Sequence, residues 1–95
     1  MAALTTQQIE LYKRIDEVLF YKWDPIDISD SDWARNEYES YLPQVFKLAL
    51  EGNHPESIAN YLTDITTKNI GLPESTLHDM DISKLILEIK KGIGL

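Results

Sequence analysis

The residues best suited to chemistry crowd into one stretch, KWDPIDISDSDWARNEYESY, residues 22–41. It holds six of the sixteen acids, both tryptophans and two of the five tyrosines. Such a stretch could hold a cation, supply paired carboxylates for acid–base catalysis, cap a helix, or dock a partner. A calcium loop needs oxygen ligands at positions 1, 3 and 5, glycine at 6 and glutamate at 12. A frame starting at Asp30 puts Ala34 at position 5, and a frame starting at Asp27 puts Asp32 at the glycine position. DMDIS, residues 79–83, fails as well, with Lys84 and Lys90 at the glycine and glutamate positions. No metal site is expected.

Catalysis by two carboxylates requires one of them to be buried, so that its pKa rises. Here the acids alternate with Ser and Asn in a polar segment. No Gly-rich phosphate loop, nucleophile elbow or HExxH motif occurs in the chain. His54 and His78 stand alone beside helix starts, where a solvated or capping role is the ordinary one. The expectation is a protein without catalytic residues or cofactor. Helix capping accounts for one or two of Asp30, Asp32 and Glu37, since an acid near a helix N-terminus contributes ~0.3–1 kcal/mol. A docking face accounts for more, because charge steers an encounter and aromatic anchors hold it. On that reading the docking charges are Asp27, Asp30, Asp32, Glu37 and Glu39.

The elements that position this stretch read as helices. Thr5 and Gln8 form a capping box, and Ile9, Leu11, Tyr12, Ile15, Val18 and Leu19 follow helical spacing over residues 6–22. Pro25 ends that helix, and Trp23 is expected to plug the core at its end, with Asp24 capping the turn around Pro25. A second helix is expected from Trp33 to Glu51, kinked or restarted at Pro43 and stopped by Gly52. A third opens at Pro55, carries Ile58, Ala59, Tyr61, Leu62 and Ile65, and ends near Asn69 with Gly71 beyond. After a loop over 71–80, Asp81 caps a last helix bearing Ile82, Leu85, Ile86, Ile89 and Ile93. The fold expected is an all-α bundle of four to five helices with short loops. It forms one domain over residues 1–95, frayed at about 1–5 and 92–95.

Charge narrows the partners. The net charge is −7: residues 1–22 and 79–95 are each neutral, residues 23–52 carry −5 and residues 53–78 carry −2. Phosphate binding needs a basic face, so neither nucleic acid nor an anionic membrane surface is expected. A basic protein is the natural complement. There is no cysteine, no signal-peptide pattern and no apolar run long enough to span a membrane. A cytoplasmic location fits these features.

Two runs extend the reading. Trp23-Asp24-Pro25-Ile26 precedes Asn36-Glu37-Tyr38-Glu39-Ser40-Tyr41-Leu42-Pro43, and Ile58-Ala59-Asn60-Tyr61-Leu62-Thr63-Asp64-Ile65 leads to Gly71-Leu72. Together, over about residues 15–72, they resemble a family of small all-helical bacterial proteins with a Trp-Asp-Pro-Ile signature. They also resemble immunity proteins of polymorphic and contact-dependent growth inhibition toxin systems. The chain departs from the pattern at Asp27, where glycine is expected. The resemblance implies a protein that binds and neutralises a cognate toxin, in the first instance a nuclease, whose basic cleft the acidic face would meet. The other reading is a non-enzymatic adaptor, or a homodimer that buries its aromatic face.

Overall fold

Thr5 starts the first helix as its type and spacing predict. In the computed structural model, which describes residues 4–23, 38–71 and 76–95, Thr5 Oγ1 accepts from the Gln8 N–H at 3.1 Å. Gln8 Oε1 in return accepts from the Thr5 N–H at 2.9 Å. Two donors with no intrahelical partner are thereby satisfied together. Helix α1 runs over Thr6–Glu17 and buries Leu11 and Ile15. The chain then widens into a π-helical turn, Val18–Trp23. This segment buries Val18, Leu19, Phe20 and Trp23. A π turn spreads consecutive residues over a narrower arc than an α turn, so three successive apolar side chains can face one core.

Pro43 decides the next boundary. Tyr38 and Glu39 are helical, residues 40 and 41 form a turn, and α2 begins anew at Leu42, running to Glu51 with Pro43 in its first turn. A continuous helix would have driven the Pro43 ring into the carbonyl of residue 39 and lost a hydrogen bond. The chain restarts rather than kinks; the expected start near Trp33 lies outside the described residues. Gly52 ends α2 in extended geometry.

Helix α3 spans Pro55–Asp64, with Pro55 in its first turn. It widens into a second π turn, Ile65–Ile70. Thr66 and Thr67 donate their hydroxyls to the Leu62 and Thr63 carbonyls, each at 2.8 Å. Such back-bonding to the preceding turn loosens α geometry. Gly71 then closes the segment at φ +82°, where glycine carries no Cβ penalty.

The last helix, α4, spans Thr76–Ile93. It begins before Asp81, which the sequence had placed at its cap and which is exposed within the helix. Its buried face is Asp79, Ile82, Ser83, Ile86 and Lys90, whereas Leu85, Ile89 and Ile93 are half-buried. The helix also reaches past Gly92, and Gln7 Nε2 donates to the Ile93 carbonyl at 3.1 Å.

Helix α4 packs against α1, α2 and α3, and α2 packs against α1 and α3. The core between them is built on Leu11, Ile15, Leu19, Val45, Ile58, Leu62 and Ile86, among others. The fold is an all-α bundle, and among the described residues there is no strand and no helix long and apolar enough to cross a membrane.

Candidate functional site

The acid-rich stretch is best approached from its two ends. Trp23, the last residue of the first π turn, and Tyr38, the first described residue after it, are each 1% exposed. Their rings touch, with centroids 5.5 Å apart at 57°. Tyr41, half-buried, meets the same indole edge-on at 6.3 Å and 90°. The two residues that flank residues 24–37 therefore meet in one aromatic clasp within the core. Tyr38 belongs to the core, and Trp23 plugs the core as its position suggested.

A buried polar node secures this clasp. Trp23 Nε1 donates to Asp79 Oδ1 at 3.0 Å, and Thr63 Oγ1 donates to Asp79 Oδ2 at 2.8 Å. Asp79 is itself 1% exposed. A carboxylate with a donor on each oxygen is a satisfied buried charge, because indole N–H groups only donate and ionised carboxylates only accept. The Trp23 carbonyl lies 3.0 Å from His78 Nε2. Three segments of the fold thus converge on the residue that opens the acidic stretch.

The node contains a hydroxyl, an imidazole and a carboxylate, but it is not wired for nucleophilic catalysis. His78 contacts the Trp23 carbonyl and not the Thr63 hydroxyl. Asp79 bonds Thr63 and Trp23 rather than orienting the imidazole. A triad needs nucleophile to base and base to acid in sequence. The chemistry here is positional: these bonds fix the C-terminal end of the first π turn against α3 and α4.

Of the sequence-derived docking charges, Asp27, Asp30, Asp32 and Glu37 lie outside the described residues, as do Asp24 and Trp33. Glu39 is exposed on the turn before α2. It lines a shallow cleft of about 470 Å³ together with Tyr12, Lys13, Asp16 and Leu42. This brings a second acid, Asp16 of α1, to the same edge as Glu39.

Asp79 lies in helix α4 and not in the loop expected over residues 71–80, and its place in the core is not marked by the calcium-loop pattern that it fails. A helical signal pointed to it nonetheless. Stepping back from Ile86 and Ile82 by four and three residues reaches Asp79 on the buried face. Among the described residues no group of three metal-ligating side chains converges. No family model, curated protein or solved structure matches the chain.

Proposed function

We propose that this chain is a non-catalytic binding protein of the immunity type, which neutralises a cognate bacterial toxin by docking its acid-rich segment onto a basic surface, in the first instance a nuclease cleft. The observation that carries the reading is the clasp. A segment with five acids and one base between residues 24 and 37 is held at both ends by aromatic residues that are themselves enclosed. The residues that flank the segment are fixed before a partner arrives, and the charge supplies a fast encounter. Trp23 and Tyr38 are not available as interface anchors, so affinity would rest on charge together with residues of the segment itself.

Two measurements test this. The first is growth rescue: the C-terminal domain of the protein encoded immediately upstream is expressed with and without this chain in a sensitive host. Restored growth supports the immunity reading, and a harmless or unrescued neighbour removes it. The second isolates the charges. Combined replacement of Asp27, Asp30 and Asp32 by Asn is expected to slow association at least ~10-fold at low salt and to flatten its salt dependence. Melting behaviour should hold close to that of the parent chain. Unchanged on-rates at low and high salt reject the acidic segment as the docking face.

A further inference from the structure

Helices α1 and α3 both end by widening into π turns, and the two turns have different causes. The α register is intact as far as Val18, whose N–H donates to the Arg14 carbonyl, and as far as Ile65, whose N–H donates to the Tyr61 carbonyl. In the second turn the cause is local, because the Thr66 and Thr67 hydroxyls bond back to the preceding turn. The first turn reads VLFYKW and follows RIDE. Neither run contains proline, glycine, serine or threonine, so no break and no back-bonding is written into it. Such a sequence continues as an α-helix unless packing overrules it.

What overrules it converges on Trp23. Five steps of an α-helix turn a side chain through about 500°, at 3.6 residues per turn. Five steps of a π turn, at about 4.4 residues per turn, make only about 410°. In the α register Trp23 would therefore point about 90° away from its present direction relative to Val18. Its indole N–H would leave Asp79 Oδ1, now 3.0 Å away. Its carbonyl would leave His78 Nε2, also at 3.0 Å. The second oxygen of the same buried carboxylate takes the Thr63 hydroxyl, and the Thr63 carbonyl is the one that Thr67 bonds in the second turn. One enclosed group is thus bonded to the end of one π turn and to the approach of the other.

We propose that Asp79 is a register latch: by holding the Trp23 indole it keeps Val18–Trp23 in the π register, and its release lets this segment pass to the α register. The latched turn then contains one residue more than an α-helix would need to bring Trp23 to the same direction. Four α steps make about 400°, within about 10° of the five π steps. The latch is a conformational device of the fold and does not rest on the docking role.

Scalar couplings across hydrogen bonds, measured by NMR on the isotope-labelled full chain, identify the carbonyl that each amide donates to. In the parent chain the amides that close the first turn are expected to couple to carbonyls five residues back. Asp79→Ala and Trp23→Phe are each expected to move about half or more of that population to carbonyls four residues back. Asp79→Asn keeps an acceptor for the indole and is expected to keep the parent pattern. A five-residue pattern retained in Trp23→Phe, and in Asp79→Ala where that variant folds, overturns the proposal. Deletions test the extra residue. Lys13 and Lys22 are both exposed, one within α1 and one within the π turn. Removing Lys22 is expected to leave the folding equilibrium within about 10-fold of the parent, whereas removing Lys13 lowers it at least ~100-fold by turning one part of the buried face off the core. Equal damage from the two deletions also overturns it.

Discussion

The two ends of α4 each bury a charged side chain, and they do so by different means. Asp79 lies in the first turn and Lys90 in the last, so each sign suits the helix dipole at its end. Asp79 is enclosed and receives a side-chain donor on each carboxylate oxygen, from Trp23 and from Thr63. Lys90 lies at the margin of the core. Its ammonium donates to the Gly52 carbonyl at 3.2 Å and to Asn53 Oδ1 at 3.1 Å, in the turn between α2 and α3. One end is a closed node linking three segments, and the other is a long stem reaching the edge. The lesson is that comparable burial carries unequal cost when a partner is lost. Water can replace a missing partner at the edge but not inside the node.

The largest test of that contrast is Asp79→Ala. It strands the buried Trp23 indole N–H and the half-buried Thr63 hydroxyl and is expected to cost about 3 kcal/mol in urea unfolding. Asp79→Asn keeps one acceptor oxygen and should cost about half as much. A fully stable alanine variant would break the comparison outright.

Next in size is Trp23→Phe, which removes the indole N–H and some core volume at an expected cost of about 2 kcal/mol. A double-mutant cycle with Asp79→Ala sharpens the point: a coupling of about 1 kcal/mol or more is expected if the bond is the link. Additive effects would reduce the node to independent packing.

Lys90→Met keeps the stem and drops both hydrogen bonds. Because Gly52 is only half-buried and Asn53 exposed, the expected loss is below about 1 kcal/mol. A loss equal to that of Asp79→Ala would erase the difference between the two ends.

The smallest effect involves neither end. Tyr61 on α3 has its pKa raised by burial above the ordinary 10.0. The folded chain therefore keeps this proton where the unfolded chain releases it. The stability so contributed is complete below about pH 10 and declines as pH rises beyond it. Tyr61→Phe should flatten that part of the alkaline decline in Tm and leave neutral-pH stability within about 1 kcal/mol.

Legibility followed locality. The Thr5–Gln8 box, Pro55 in a first turn, Gly71 beyond α3 and the all-helical class are written in short spacings, and each is realised. The start of α4 was misplaced because Asp81 and Ser75 are both plausible caps by type, and the choice between them is not made locally. Its inner face was only partly legible. Ile82 and Ile86 fix its phase, but apolarity alone also favoured Leu85 and Ile89 over Ser83 and Lys90. The candidate docking charges are a matter of sequence, apart from Glu39, which the fold places on an exposed edge beside Asp16.

By itself the sequence determined the starts of α1 and α3 and the break before α2, through caps and prolines acting over one turn, and where the net charge lies along the chain. Only the tertiary structure decided which polar groups go inside. Whether Asp79 can be buried depends on Trp23 and Thr63, 56 and 16 residues away. A buried carboxylate is tolerable only when distant donors arrive at its oxygens, and no spacing along one helix can encode that arrival.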